Sequence, residues 1–206
     1  MKIRPARPDD VDAVVPLMYS SGPELYDFMY AYAPASSLDY IAFEFKSGRG
    51  LCGYKNVTVA EVDGQVVATG CFFDGGAYPA LLGGGLANLF RYFGVLKAVP
   101  ALLRARHVNS VIKPPKNDEL YLTNFGVHEA GRGMGIGSAM LAEKILQARD
   151  EGYRLFSLDV ADNNPRAEKL YRRHGMEQVA FKKFSGEHPS ISVPSVRKME
   201  MLLQTT

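Results

Sequence analysis

Residues 132 to 138 read Arg132-Gly133-Met134-Gly135-Ile136-Gly137-Ser138. They follow a predicted strand over 120–127 and lead into a predicted helix over 136–150, which Gly152 ends. The first N–H groups of a helix have no partner within it and lie at the positive end of its dipole. Glycine lets an anion approach them, at a cost of about 1 kcal/mol for each glycine in a helix start. The segment therefore predicts a pyrophosphate site, and the alternative is a tight turn without a ligand.

Two better-known phosphate loops do not fit this segment. A dinucleotide fingerprint, Gly-x-Gly-x-x-Gly, would need its third glycine where the sequence has Ile136, Ser138 or Met140. A P-loop needs Gly-Lys followed by Ser or Thr, and the segment has no lysine. The predicted site therefore belongs to a different class of phosphate loop.

A second block lies downstream and reads Asn164-Pro165-Arg166-Ala167-Glu168-Lys169-Leu170-Tyr171, with Gly175-Met176 after it. The block is similar to the pattern Asn-x-x-Ala-x-x-Leu-Tyr, then Gly-Phe, of the GCN5-related N-acetyltransferase (GNAT) superfamily. Arg132, Gly135 and Gly137 match the superfamily's other signature, Arg or Gln, two residues, Gly, one residue, then Gly or Ala. The resemblance covers residues 120–184. It implies an α/β fold with a mixed sheet, antiparallel in its N-terminal half, whose parallel central strands splay at the CoA site.

By this resemblance the chain is an enzyme, an N-acetyltransferase that moves an acetyl group from acetyl-CoA to a primary amine by direct attack, without a metal. The backbone N–H groups of Phe125 and Val127 would bind the pantetheine and the thioester oxygen, where charge grows in the transition state. A non-catalytic acyl-CoA-binding regulatory module is the alternative. The expected CoA-binding residues are Phe125, Gly126, Val127, Arg132, Gly133, Met134, Gly135, Ile136, Gly137, Ser138 and Asn164.

Two side chains complete the implied chemistry. Tyr171 stands at the family position of the general acid, and a phenol of pKa about 10 can protonate a departing thiolate of pKa about 8.5. Glu119 is the preferred general base, acting through water. It shares one strand face with Tyr121 and Thr123, the face where some family members place their base.

The same residues have simpler interpretations, which stay open. Tyr171 can belong to a core-facing helix surface, Asn164 can act as a helix cap alone, and Arg132 can be an ordinary surface arginine. Glu119 can be a solvated carboxylate at the start of a strand, and Asp118 competes with it as a base. Three further positions are more typical of turn or surface residues: His128, His174 and Lys182-Lys183.

The rest of the chain predicts one domain, residues 1–206, with an insertion at 74–117. A first strand at 2–4 and helices at 11–18, 23–31 and 37–46 precede a hairpin of two strands, 57–62 and 65–73, around Asp63-Gly64. After the 120–127 strand and its helix come a strand at 155–160, a helix at 165–174, and strands at 178–184 and 196–203, the last of which is expected to close the sheet. Strand, helix and strand in alternation predict right-handed crossovers between parallel neighbours.

The insertion contains Gly83-Gly84-Gly85 and predicts helical turns interrupted by Gly94 and Pro100. It has no acidic residue between Gly75 and Asn117 but several basic ones. A packed insertion with a solvated basic face is favoured over a basic amphipathic lid or a membrane-surface element. Arg91, Lys97 and Pro100 are expected to break the stretch too early for a membrane-spanning helix.

Composition restricts the remaining classes. With 206 residues, 47% of them hydrophobic, and a net charge of +2, the chain is an ordinary globular protein with no expected nucleic-acid partner. Cys52 and Cys71 lie in no metal-binding motif, so we expect reduced, partly buried thiols. The N-terminus lacks a signal-peptide pattern, and the expected location is therefore cytoplasmic. The acceptor can be a small-molecule amine or a protein N-terminus, and a homodimer is left open. Specificity for the acceptor is expected to come from residues 23–46, the insertion and residues 185–195. A partly apolar acceptor pocket is suggested by the aromatic residues Tyr26, Phe28, Tyr30 and Tyr32.

Overall fold

The computed structural model describes residues 1–31 and 36–203, so Tyr32 lies outside the described residues. The helices are α1 Val11–Tyr19, α2 Pro23–Tyr30, α3 Ser37–Ser47, α4 Tyr78–Val111, α5 Ile136–Asp150 and α6 Pro165–Arg173. The strands are β1 Lys2–Pro5, β2 Val57–Val62, β3 Gln65–Phe73, β4 Glu119–Val127, β5 Leu155–Ala161, β6 Glu177–Lys182 and β7 Val196–Leu202. These bounds agree closely with the sequence-based predictions everywhere except in the insertion.

The described strands form one mixed sheet of seven, in the order β1-β2-β3-β4-β5-β7-β6. Strands β1 to β4 pair antiparallel, as the hairpin at Asp63-Gly64 predicts. Strands β4 and β5 pair parallel, joined by the crossover helix α5. The α/β fold class with an antiparallel first half and parallel central strands is therefore confirmed.

The position of β7 differs from the prediction. It does not close the sheet as an edge strand, because it lies between β5 and β6 and pairs antiparallel with both. As a result β5 and β6 are not neighbours, and helix α6 does not connect adjacent parallel strands. The burial pattern explains the order, since β7 places Met199 and Met201 in the core whereas most residues of β6 are exposed or half-buried.

Each face of the sheet carries its own core. On one face, Val14 of α1 and Phe45 of α3 pack with Val59 and Cys71. On the other face, residues of α5 and α6 pack with inward-facing residues of β4, β5 and β7, a cluster that includes Leu122, Leu141, Leu158, Tyr171 and Met199. Because side chains alternate along a strand, neighbouring residues of β4 and β5 point into different layers.

The central strands separate partway along their length. Pairing of β4 with β5 ends at Leu122 and Leu158, and the remaining residues of the two strands diverge. On its other edge β4 carries a bulge, because Thr69 is opposite Gly126 while Cys71 is opposite Thr123. Asn124 lies in the bulge with a left-handed φ of 54°. The sheet is therefore open beside β4 at the point where its geometry is also irregular.

The insertion is more regular than the sequence suggests. Residues 83–85 are helical, and Pro100 lies inside the helix without interrupting it. The glycines permit close packing, because a Cβ on Gly84 would lie 2.8 Å from the backbone nitrogen of Gly50. Gly94 does break the helix, with φ 71° and ψ 171°. The N–H of Gly75 donates to the carbonyl of Lys116 at 3.0 Å, so the two halves of α4 run out from the sheet and back.

Taken as one element, α4 is long and apolar enough by length and composition alone to cross a membrane, but the break at Gly94 divides it into two shorter halves. It also packs on the protein, because Leu89, Ala98 and Ala101 are buried against Tyr40 of α3. At the turn between its halves, Leu96 is 89% exposed. The helix thus has one packed side and an exposed apolar tip.

Candidate active site

The glycine turn leaves backbone donors free at the start of α5. Gly133 and Gly135 both have φ of 80°, and no side chain caps the helix. Within the turn the Met134 N–H donates to the Gly131 carbonyl at 3.4 Å, and the next N–H with a backbone acceptor is that of Ala139, which donates to the Gly135 carbonyl at 2.8 Å. The N–H groups of residues 135–138 donate to no described residue. Together with the helix dipole, they can bind a pyrophosphate.

The glycines of the turn serve two different purposes. A Cβ on Gly133 or Gly135 would meet no other atom within 4 Å, so glycine is needed there for the left-handed backbone and not for lack of space. A Cβ on Gly137 would lie 3.1 Å from Val127 Cγ2. Gly137 therefore lets α5 pack closely on the end of β4.

Arg132 ties the turn to the strand that precedes it. Its Nε donates to the carbonyl of Val127 at 3.2 Å, and its guanidinium lies 3.7 Å from the carboxylate of Glu129. The side chain is half-exposed. These contacts are those of a residue that holds the turn in place.

Ser138 contacts a histidine that the sequence does not connect with it. The Ser138 Oγ and His174 Nε2 lie 2.7 Å apart, which links the first turn of α5 to the end of α6. Burial, together with the charge of Arg173, lowers the pKa of His174. His174 was predicted to be a turn or surface residue, and its separation of 36 positions from Ser138 gave no signal of the contact.

The end of β4 presents two N–H groups to the gap beside β5. The N–H of His128 donates to the Val67 carbonyl on the β3 side at 2.8 Å. Because N–H groups alternate between the two edges of a strand, those of Phe125 and Val127 point to the opposite edge, where β5 has diverged. This is the placement expected of donors to the pantetheine and to a thioester oxygen. Gly126 lies between them, and a Cβ there would lie 2.1 Å from the Leu17 carbonyl.

A cavity of about 330 Å³ opens at the gap and is lined from both faces of the sheet. On the face of α6 its wall includes Phe125, Asn164 and Tyr171. On the opposite face it includes Tyr121 and Asp159. Groups on both sides of a bound thioester could therefore act on it at once.

Tyr171 combines the two interpretations given to it. Its ring is 6% exposed and packs with Phe125 in the core, at 6.4 Å between ring centroids. It nevertheless lines the cavity, and its hydroxyl forms no hydrogen bond with any residue that the structure describes. Burial raises the pKa of Tyr171, so the phenol stays protonated at neutral pH and keeps a proton available to donate.

Asn164 caps α6. Its Oδ1 accepts the N–H of Ala167 at 3.1 Å, which confirms the predicted helix cap. The residue also lines the cavity, next to the expected path of the pantetheine. Both predicted placements of Asn164 are thus compatible with the structure.

The structure places Glu119 away from the cavity, in a buried polar cluster. Its carboxylate accepts from Ser157 Oγ, from Lys198 Nζ at 2.8 Å and from the Lys116 N–H at 3.1 Å. Burial raises the pKa of this carboxyl, but the hydrogen bonds from Lys198, Ser157 and Lys116 outweigh it and lower the pKa. A carboxylate with both oxygens occupied is poorly suited to take a proton, so the predicted base role gains no support. The competing Asp118 is exposed and pairs with Arg154 at 2.6 Å.

A different carboxylate lies in the cavity wall. Asp159 Oδ2 accepts the hydroxyl of Tyr121 at 3.0 Å, whereas its Oδ1 is buried and has no hydrogen-bond partner among the described residues. Burial raises the pKa of Asp159, against the lowering effects of Lys198, Tyr121 and Lys182. Asp159 was not among the residues predicted from the sequence. The available signal was the alternation of Leu158, Asp159 and Val160, which puts one carboxylate on the opposite face from two core residues.

The segments predicted to select the acceptor do line the cavity. Tyr26 and Tyr30 of α2 contribute, as do residues of α4 and, from the 185–195 loop, Val193 and Pro194. Phe28 is 1% exposed and packs edge-on against Phe184, so it belongs to the core.

Within the described residues, no group of His, Cys, Asp and Glu side chains could hold a metal ion.

Comparison with solved structures identifies the fold. A structure described as an acetyltransferase has 23% identity and a TM-score of 0.65, covering 99% of this chain and 100% of its own. An N-acetyltransferase from Staphylococcus aureus Mu50 has 21% identity and a TM-score of 0.65, covering 98% and 100%. The ribosomal-protein-S18-alanine N-acetyltransferase from Escherichia coli has 14% identity and a TM-score of 0.57, covering 100% and 95%.

A further similar structure, from Salmonella typhimurium, contains acetyl-CoA, with 18% identity, a TM-score of 0.55 and coverage of 99% and 94%. No curated protein matched the sequence significantly. At the level of sequence families, residues 23–176 match the acetyltransferase (GNAT) family. The match spans most of the chain and includes the glycine turn and the α6 block. With this match and the geometry of the turn and the splayed strands, the chain belongs to the acetyltransferase (GNAT) family.

Proposed function

We propose that this protein transfers the acetyl group of acetyl-CoA to a primary amine by direct attack. The single observation that carries the proposal is the cavity at the strand gap, which brings the Tyr171 hydroxyl together with the free edge of β4. The free N–H groups at the start of α5 lie at the end of the same strand and would hold the pyrophosphate. The family match supports acetyl transfer in general terms.

In the proposed reaction, the amine nitrogen forms a bond to the thioester carbon while the C–S bond breaks. The N–H groups of Phe125 and Val127 stabilise the negative charge that develops on the carbonyl oxygen. Tyr171 donates its proton to the departing sulfur.

Direct attack is favoured over an acyl-cysteine intermediate because neither thiol is activated. Burial raises the pKa of Cys71 to about 12. Burial also raises the pKa of Cys52 well above its ordinary value, although Cys52 lines the cavity. A thiol in that state is rarely ionised at neutral pH and is a poor nucleophile.

Initial-rate kinetics test this proposal. With acetyl-CoA and an amine both varied and free thiol monitored, we expect double-reciprocal lines that intersect, as for a ternary complex. Parallel lines would indicate a covalent acyl-enzyme. CoA binding without thiol release for any amine would favour the non-catalytic regulatory module.

A second role is favoured by the tip of α4. Val95 and Leu96 are 68% and 89% exposed, and residues 75–117 include no acidic side chain. An apolar tip among basic residues suits contact with an anionic membrane surface. Sedimentation with vesicles that contain anionic lipid should carry the protein down, and Val95→Ser/Leu96→Ser should abolish this. Equal sedimentation with neutral vesicles, or of the variant, would contradict the role.

A further inference from the structure

We infer that the acceptor is an amine with an apolar body, and that Asp159 receives its ammonium group and takes its proton. The inference rests on the proposed N-acetyl transfer and adds the class of acceptor and the base. Among the buried carboxylates near the cavity, Asp159 has an oxygen without a hydrogen-bond partner in the described residues.

Two buried carboxylates are already committed to the fold. Glu119 is held by Lys198, Ser157 and the Lys116 N–H, as described above. Glu44 of α3 accepts the N–H of Cys52 at 3.0 Å and secures the loop that packs against α4. Neither has the unpartnered buried oxygen that Asp159 has.

The position of Asp159 fits the reaction. It is the first residue of β5 beyond the last paired position, Leu158, so it lies where the gap between the strands begins. The Tyr121 hydroxyl donates a hydrogen bond to Oδ2 of Asp159, whereas Oδ1 has no hydrogen-bond partner among the described residues. Tyr171 enters the cavity from the other face of the sheet. A base and an acid would thus lie on opposite sides of the thioester.

None of the described charged side chains around Asp159 donates a hydrogen bond to its carboxylate. Lys198, opposite it on β7, donates instead to Glu119 at 2.8 Å and to Ser157 at 2.9 Å. Lys182 of β6 and Glu119 of β4 also act on it through their charges, with opposite effects on its pKa. Burial raises that pKa above the ordinary value for aspartate, which makes the carboxylate a better proton acceptor than an exposed one.

The remaining wall of the cavity is largely apolar. Helix α2 contributes Leu25 and Met29, and α4 contributes Leu82, Leu86 and Leu89. A cationic side chain in the wall, that of Lys113, is exposed and donates to the Asn109 carbonyl at 2.8 Å. Burying a substrate carboxylate or several hydroxyls against such a wall without hydrogen-bond partners is unfavourable. The wall therefore favours an amine with a hydrocarbon or aromatic body over an amino acid or an amino sugar.

The proton balance follows from these positions. The ammonium gives one proton to Asp159 and becomes a free amine, whose lone pair forms the C–N bond as the C–S bond breaks. Tyr171 gives its proton to the sulfur. The nitrogen loses its second proton to restore the Tyr171 hydroxyl through water, and Asp159 releases its proton to solvent. The products are the N-acetyl amide and free CoA thiol.

A matched pair of acceptors tests the class of substrate. We expect 2-phenylethylamine to be acetylated with a kcat/KM at least about 100-fold higher than phenylalanine, which differs from it by a carboxylate. Thiol release, with the product confirmed by mass, is the measurement. Equal or better use of phenylalanine would overturn the inference, whereas thiol release with no amine at all would count against the proposed function itself.

Variants test the role of Asp159. Asp159→Asn should lower kcat/KM for 2-phenylethylamine by about 100-fold or more, and its remaining rate should rise with pH as more of the amine is already deprotonated. Tyr121→Phe, which removes the holding hydroxyl, should cause a smaller loss. Calorimetric binding of CoA should be unchanged in both variants, which shows that they fold. The control is Asp118→Asn, an exposed carboxylate at the far end of β4, with wild-type kinetics expected.

Two outcomes would contradict the role of Asp159. One is wild-type kinetics in Asp159→Asn. The other is an equivalent loss in Glu24→Gln instead, since Glu24 is a half-buried carboxylate in the first turn of α2 and also lines the cavity.

Discussion

The hydroxyl of Tyr121 donates a 3.0 Å hydrogen bond to Asp159 and so joins β4 to β5 beside the point where the two strands part. Backbone pairing between the two strands ends at Leu158, one residue before Asp159. Beyond that point this side-chain hydrogen bond connects the strands. Both residues line the cavity. The opening of the sheet is thus bordered by a buried polar pair on one face and by Tyr171 on the other.

Replacement of Tyr171 tests the general acid. Tyr171→Phe keeps the ring that packs against Phe125 and removes only the hydroxyl. Because the thiolate would then depart without a proton donor, turnover should fall by about 100-fold. CoA affinity, measured by calorimetry, should change less than about threefold. Unaltered turnover would leave Tyr171 with its packing role alone.

The glycine turn allows a comparison between two glycines in the same conformation. Gly135 and Gly152 both have φ of 80°, and a Cβ on either would meet nothing within 4 Å. Glutamate at either position therefore carries a similar backbone strain, of about 1 kcal/mol. Gly135→Glu also places a negative charge at the proposed pyrophosphate site, so CoA affinity should fall by at least about 100-fold. Gly152→Glu, at the other end of α5, should bind CoA as the wild type does, and equal binding by both variants would remove the site.

Lys198 and Glu119 form a buried ion pair whose loss should be measurable as stability. Lys198→Met leaves the carboxylate buried without its cation, which should lower the free energy of unfolding by about 3–5 kcal/mol. Lys198→Met/Glu119→Gln should recover most of that loss, because no charge is then stranded. Urea denaturation of the three variants and the wild type is the measurement. Full stability of Lys198→Met would show that the pair contributes little.

The same pair predicts a pH dependence. The pKa of Glu119 is lowered in the folded protein, so its contribution to stability is fully present above its unfolded pKa of about 4.3 and is lost as pH falls through the lower folded pKa. The stability difference between the wild type and Glu119→Gln should therefore shrink as the pH falls below about 4, give or take roughly one pH unit. If Glu119→Gln instead kept its stability and lost turnover, the base role first predicted for Glu119 would be restored.

The thiols provide an independent check on the core. Cys71 is fully buried and Cys52 is 7% exposed, and the side-chain amide of Asn124 lies 3.6 Å from the Cys71 sulfur and 3.5 Å from the Cys52 sulfur. Cys71 should react with a thiol reagent only on unfolding, at the urea concentration that abolishes the circular dichroism signal. Cys52 lines the cavity, so it should react slowly in the native protein as well. Rapid reaction of Cys71 in the native protein would contradict the packing of α1 and α3 over the sheet.

Much of the fold could be predicted because its signals are local. The Asp63-Gly64 turn, the apolar run of β5 and the glycines after α5 and α6 each determine an element within a few residues. The order of β7 and β6 could not be predicted, since it depends on which strand has the more buried side chains after the sheet has formed. In the insertion the helical turns and the break at Gly94 were predicted, but the regular helix over 83–85 was not, because glycines that usually break a helix here allow α4 to approach the 49–50 loop.

The site residues also divide into those that local sequence signals could predict and those that they could not. The turn at 132–138, Asn164 and Tyr171 lie in contiguous motifs. In the structure Asn164 and Tyr171 line the cavity, and the turn is linked to the end of α6 by the contact between Ser138 and His174. Asp159, Tyr121 and the contact between Ser138 and His174 depend on strand register and on residues 36 or more positions apart. Glu119 was chosen from strand alternation and from the resemblance to the family, and neither could show that Lys198 from β7 would donate to its carboxylate.

Nuclear magnetic resonance of ¹⁵N-labelled protein titrated with CoA tests the central claim most directly, because it needs no knowledge of the acceptor. We predict that the backbone N–H resonances of residues 135–138 shift strongly, together with those of Phe125 and Val127, while Gly152 at the far end of α5 does not change. Saturating CoA that leaves the 135–138 resonances in place, or shifts only resonances elsewhere, would contradict the account.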